Sequence, residues 1–187
     1  MVRRINNIGN NNQLRRLQMK KRLKKKVAKT HEKRKKEIFE YAAYGELGKI
    51  KKLLDFGIDV NTRDEGGYTM LHWATQEGHL EVIRFLISRD SSIHSEDEEG
   101  FTPLYIASGE GYIEIIEWLI KNGADIEVKS NDGVTPLMIA WCYDHKEVVE
   151  LLLESGANKN IKDDDDKTAL FYAEEYGNKE IANLLKN

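Results

Sequence analysis

The chain has 187 residues, 40% of them hydrophobic, and 29 Lys and Arg stand against 32 Asp and Glu for a formal net charge of -3. That is apolar material for one ordinary domain, and the single cysteine, Cys142, excludes an intrachain disulfide. No apolar stretch approaches the roughly 18 residues of a membrane span and no secretory h-region opens the chain, so an intracellular protein of nucleus or cytoplasm, without membrane contact, is expected.

The near-neutral total hides an asymmetry. Residues 1–36 hold 15 Lys and Arg against Glu32 alone, a charge of +14, which leaves -17 on residues 37–187. The densest run is "KKRLKKKVAKTHEKRKK" at 20–36. Lys20, Lys21, Arg22, Lys24, Lys25, Lys26, Lys33, Arg34, Lys35 and Lys36 suit an import signal read by importin, or a helix laid on RNA or DNA phosphates. Two other uses compete: a ligand for the chain's own acidic body, and a solubilising tail. A mitochondrial presequence fits poorly, because the segment is Lys-dominated, lacks serine and carries "NNIGNNNQ". Leu14, Leu17, Leu23 and Val27 make too thin an apolar face for a calmodulin-type helix. The arm is therefore expected to be disordered or helical.

From residue 37 onward one unit repeats. Thr69, Thr102, Thr135 and Thr168 follow one another at steps of 33, as do Leu71, Leu104, Leu137 and Leu170, and Ala74, Ala107, Ala140 and Ala173. Each Thr is placed to cap a short inner helix, and Pro103 and Pro136 stand at the first helical position, where a missing N–H costs nothing. Gly45, Gly78, Gly111 and Gly177 end these helices; Asp144 takes that place once. The runs "LEVIRFLI", "IEIIEWLI" and "EVVELLL" make outer helices, closed by Gly57, Gly123 and Gly156. Lys49 and Lys52 stand where the next repeat has Val82 and Phe85, which marks the first outer helix as a polar N-terminal cap. The last repeat stops at Asn187 with no loop toward a successor, so the array is expected to be complete there.

"YTMLHWATQEGHLEVIRFLI", "FTPLYIASGEGYIEIIEWLIKNGADIE" and "VTPLMIAWCYDHKEVVELLLESGANKN" resemble the ankyrin repeat. The resemblance implies an all-α fold, an ankyrin-repeat solenoid of stacked helix pairs with projecting hairpin-like loops. Its repeats fall at about 37–66, 67–99, 100–132, 133–165 and 166–187, preceded by the basic arm at 1–36. It further implies a concave recognition surface made by loop tips and inner helices. The matching positions are Glu65, Tyr68, Gln76 and Glu77, then Glu98, Glu99, Phe101 and Glu110. The fourth repeat supplies Asp132, Val134, Cys142 and Tyr143, and the fifth Asp164, Asp165, Glu175 and Tyr176. Trp141 replaces the small Thr75 and Ser108 and either fills a gap or faces the partner.

Catalytic and metal readings find little support. His72 and His79 occupy positions where the family uses His to bond loops and helix ends, and no Cys/His pair has zinc spacing. Cys142 has no assignable base, and there is no phosphate loop or nucleophile elbow, so no enzyme, metal or cofactor is expected. "DDDDK" at 163–167 reads as loop solvation and helix-terminal charge, or as a contact for a basic partner. "LLDFGIDVN" resembles the loop signature that asparaginyl hydroxylases modify at the position of Asn61, where a cross-loop hydrogen bond is the plainer role. The expected function is a monomeric protein-binding adaptor that takes a basic segment on its acidic face. The alternative is a ribonucleoprotein component held to RNA by the arm.

Overall fold

The computed structural model describes residues 20–22, 25, 29, 30 and 32–186. Contacts divide the chain into Met1–Glu37 and Ile38–Asn187. In the first unit the described residues are helical, and Lys20, Lys21, Arg22, Lys25, Lys33 and Lys36 are exposed. Lys33 meets Glu37 one turn on at 3.4 Å, a surface pair of small energetic weight. Lys24 and Lys26 lie outside the described residues.

The second unit is a stack of helix pairs. Residues 38–43 are helical and bury Ile38 and Ala42; α1 (Leu47–Asp55) follows. Three complete pairs come next: α2 (Met70–Gln76) with α3 (Leu80–Ser88), α4 (Pro103–Glu110) with α5 (Ile113–Lys121), and α6 (Pro136–Cys142) with α7 (Lys146–Glu154). The last pair is α8 (Ala169–Glu175) and α9 (Lys179–Lys186). Helices this short are unstable alone in water, so the stack must supply what propensity cannot.

It does so through one shared core. The outer helices each bury one face, Val82, Ile83 and Leu86 in α3, Ile115, Ile116 and Leu119 in α5, and Val148, Val149 and Leu152 in α7. The inner helices bury Leu71 and Ala74, Leu104 and Ala107, and Leu137 and Ala140. Alanine at the third step matters because α4 packs directly on α2 and on α6, and a longer side chain there would hold the backbones apart. Each fully buried Leu or Ile contributes about 1.5–3 kcal/mol, and truncating Ile116 to Ala costs about 2–5 kcal/mol.

The caps behave as the sequence implies. Thr69, Thr102, Thr135 and Thr168 accept the backbone N–H of His72, Tyr105, Met138 and Phe171. Lys49 and Lys52 of α1 are exposed, yet Ile50, Leu53 and Leu54 on the other face are buried, so the polar first outer helix still packs. Among the described residues the loops form no strand, only the isolated antiparallel bridge Arg63–Thr69. They are tied sideways instead: Glu98 N–H to Gly66 C=O at 3.2 Å, Asn131 to Glu99 at 2.9 Å and Asp164 to Asp132 at 3.1 Å.

A second row of ties runs behind the inner helices. His79 Nε2 donates to the Ala43 carbonyl at 2.8 Å, the Tyr112 hydroxyl to Gln76 at 3.4 Å, and His145 Nε2 to Gly109 at 2.9 Å. Asn61 has the cross-loop role: its amide donates to Asp90 C=O at 3.2 Å and its carbonyl accepts Ser92 N–H at 3.2 Å.

Candidate protein-binding face

The loop preceding each inner helix is organised by its first carboxylate. Oδ1 of Asp64 accepts the N–H groups of Gly66 and Tyr68, Oδ1 of Asp97 those of Glu99 and Phe101, and Oδ1 of Asp163 those of Asp165 and Lys167. Ser130 stands at this position once and accepts from Val134. Asp163 is therefore a buried structural residue, which corrects the reading of "DDDDK" as loop solvation throughout. Burial pushes its carboxyl up, but the Tyr172 hydroxyl, the two backbone donors and the Lys167 charge outweigh that and hold it below the usual value.

These loops hold the acidic tips out to solvent. Glu65, Glu98, Glu99, Asp132, Asp164 and Asp165 are exposed, as are Glu77 and Glu175 at the ends of α2 and α8. Asp165 lies 3.7 Å from Lys167. Gln76 and Glu110 are linked to each other by a hydrogen bond from the Gln76 amide, which joins adjacent inner helices.

The aromatic residues of the loops divide into two groups. Tyr68 and Phe101 are half-buried: Tyr68 leans on His72 and Trp73 at 5.5 and 5.3 Å, and Phe101 stacks on Tyr105 at 4.4 Å and 8°. Burial first, then the Asp97 carboxylate, push the Tyr68 hydroxyl up to about 12, so it is a neutral donor at ordinary pH. Tyr143 and Tyr176 remain 63% and 75% exposed and are the open rings of this set. Tyr44, 76% exposed, was not singled out by the sequence; it stands one and two repeats before Glu77 and Glu110, in the register of Tyr143 and Tyr176, at the end of a first inner helix that has Lys36 in place of the capping Thr.

Trp141 fills the space beside the last inner helix and also lines a groove. It is half-buried, stacks on Tyr172 at 5.5 Å and 21°, and meets Tyr176 at 5.8 Å and 52°. With Val134, Cys142 and Tyr176 it lines a groove of about 560 Å³, together with Tyr105, Met138, Ile139, Asp144, Asp163, Tyr172 and Asn178. The first four were expected at the binding face; the other seven were not. Tyr172 is pushed up to about 12 by its bond to Asp163 and by burial. Cys142 is an exposed thiol at the edge of this groove.

His72 is structural. It is fully buried, Nδ1 accepts the Thr69 N–H at 3.0 Å, and Nε2 lies 3.0 and 3.1 Å from the Ser95 and Phe101 carbonyls. An accepting Nδ1 places the proton on Nε2, facing both carbonyls. Burial is the largest influence and lowers its pKa. Among the described residues no group of three or more His, Cys, Asp or Glu could hold a metal ion, and no helix is long and apolar enough to cross a membrane.

Comparison with known proteins agrees with this architecture. The family described as ankyrin repeats (3 copies) matches residues 38–130 and 125–187. The chain is 40% identical over 50 residues to ankyrin repeat domain-containing protein 40 of Mus musculus, covering 26% of this chain and 14% of that protein. It is 42% identical over 53 residues to acyl-CoA-binding domain-containing protein 1 of Arabidopsis thaliana, 28% of this chain and 16% of that one. It is 39% identical over 51 residues to ankyrin repeat domain-containing protein 39 of Homo sapiens, 27% of this chain and 28% of that one. The chain thus spans less than a third of the length of these relatives. Capped helix pairs at a 33-residue step and a family match across 38–187 lead to one conclusion: the chain belongs to the ankyrin-repeat family and is a protein–protein interaction module.

Proposed function

We propose that the body binds a basic protein segment across its loop tips and inner helices. The observation that carries this reading is the row of exposed carboxylates, Glu98, Glu99, Asp132, Asp164 and Asp165, beside a groove lined by four aromatic rings. Such a field steers cationic partners and rejects acidic ones, while the aromatic rings give the contact area on which affinity depends. The stacked helices are ordered before binding, so little ordering cost falls on this side of the complex.

The test is fluorescence anisotropy of the full chain with a labelled Lys-rich nonapeptide and a Glu-rich peptide of equal length. The basic peptide is expected to bind, less tightly as salt rises, and Glu98→Lys with Glu99→Lys to weaken it at least several-fold. Equal binding of the acidic peptide sinks the reading.

The arm supports a second role in localisation. Its 15 Lys and Arg within 36 residues favour an import receptor in the cytoplasm and a nuclear destination, or RNA and DNA phosphates, including a place in a ribonucleoprotein particle. Titration with RNA and duplex DNA over a range of salt separates these: a slope of log K on log salt on the order of -10 means that most of the arm meets duplex phosphates. No binding leaves an import signal, a ligand for the chain's own acidic body or a solubilising tail.

A further inference from the structure

The groove between α6 and α8 contains a polar atom that the protein does not satisfy. Trp141 Nε1 is buried and has no hydrogen-bond partner among the described residues. Its indole is nonetheless held in place by Tyr172 and Tyr176. A buried donor without an acceptor lowers stability, so the indole stands here at a cost to the fold. Trp73 provides the contrast, because its Nε1 donates to Asp64 at 2.8 Å.

The rest of the groove says what a ligand there carries. Tyr105, Trp141, Tyr172 and Tyr176 supply four rings, and the two charged residues of the lining, Asp144 and Asp163, are both acidic. Asp163 is enclosed and already takes the Tyr172 hydroxyl. Asp144 is exposed at the mouth, with only Oδ1 engaged, by the Asn178 amide. Rings together with carboxylates attract a cation, and the protein itself shows the effect: Lys167 Nζ lies 5.3 Å from the Tyr172 ring centre. With Tyr172 occupied by Lys167 and by the indole, and Tyr105 buried and stacked on Phe101, Trp141 and Tyr176 are the rings left for an incoming cation.

We infer that this groove is an anchor site for one arginine of the bound segment. The guanidinium lies against Trp141 and Tyr176 and points to the Asp144 carboxylate. Arginine fits better than lysine because it is planar, weakly hydrated and able to stack while it donates in plane to a carboxylate. This inference rests on the proposed recognition of a basic segment and adds to it one residue type and one place.

The test uses the full chain and three fluorescein-labelled nonapeptides with four flanking lysines and a central arginine, lysine or citrulline, the last being the neutral isostere of arginine. The arginine peptide is expected to bind about tenfold tighter than the citrulline peptide and about threefold tighter than the lysine one. Trp141→Leu and Asp144→Asn are each expected to reduce the arginine preference to about twofold or less. Asp144→Asn changes an exposed side chain and keeps a residue type that tolerates left-handed backbone, so it stays informative if Trp141→Leu folds poorly. Tyr44→Ser, outside the groove, should leave the preference intact. Bound arginine peptide should also slow alkylation of Cys142. Equal binding of the arginine and citrulline peptides overturns the anchor and leaves the general basic preference standing; no binding by any of the three overturns both. A preference that survives both groove variants places the arginine elsewhere and overturns the anchor. Salt-relieved protection of Cys142 with no peptide present identifies the chain's own basic residues as the occupant and overturns an external partner.

Discussion

The Tyr172 hydroxyl donates to Oδ2 of Asp163 at 2.6 Å, nine residues back, and fixes the last inner helix to the loop before it. The same step joins Trp73 to Asp64. At Asp97 it falls on Ile106, and among the described residues no helix side chain nine residues on reaches Oδ2. Tyr172→Phe should cost about 1–2 kcal/mol in urea denaturation at neutral pH. Asp163 is held below its ordinary value, so its contribution is full above the unfolded pKa near 3.9 and lost as pH falls through the folded value. Removal of the hydroxyl should make the acid-side loss smaller. An unchanged midpoint and acid limb would show that the bond contributes nothing.

His72 gives a second pH signature. Its pKa is lowered, so the folded state favours the neutral ring; stability is full above the unfolded value near 6.5 and falls as pH drops from there through the folded value. His72→Leu should cost about 2–3 kcal/mol at pH 7.5, because the Ser95 and Phe101 carbonyls lose a donor. It should also flatten the wild-type decline that sets in below about pH 6.5. The unfolding free energies of both proteins across that range decide it, and parallel curves refute the assignment.

Asp90 occupies left-handed backbone at φ 65°, in the register where Gly57, Gly123 and Gly156 stand in other repeats. The links from Asn61 go to its backbone carbonyl, not its side chain. Asp90→Gly should therefore stabilise by about 0.5–1 kcal/mol and raise Tm by a few degrees in calorimetry. Asp144→Gly should gain less, since it gives up the bond from Asn178.

Two glycines with similar positive φ predict unequal penalties. A Cβ on Gly133 would stand 2.8 Å from the backbone nitrogen of Asp164, whereas one on Gly156 meets nothing within 4 Å. Gly156→Ala should cost about 1 kcal/mol for conformation alone, and Gly133→Ala at least about 1 kcal/mol more. Equal losses in chemical denaturation would mean that the loops separate freely.

The helix pairs, caps and shared core were readable in advance because Thr, Leu, Ala and Gly recur at a fixed step, and each recurrence has one structural cause. The groove was only half readable. Tyr105, Trp141 and Tyr172 stand three, six and four residues after their capping Thr, so no single repeat position contains it. It exists because neighbouring repeats place different positions side by side. Tyr68 and Phe101 were placed on the recognition surface by their repeat position, which does not reveal that they lean on rings of their own inner helices. The role of Asp163 was hidden by three adjacent aspartates of identical composition and different surroundings.

The sideways ties between loops limit how a partner can be read. Glu98, Asn131 and Asp164 each give their amide hydrogen to the preceding loop, so at these three positions a visiting chain cannot pair as an added strand. Recognition there depends on side chains alone. Because these three ties run between main-chain atoms, the exposed side chains at the tips can be exchanged without breaking them: a new partner can be acquired by rewriting a few letters without refolding anything beneath them.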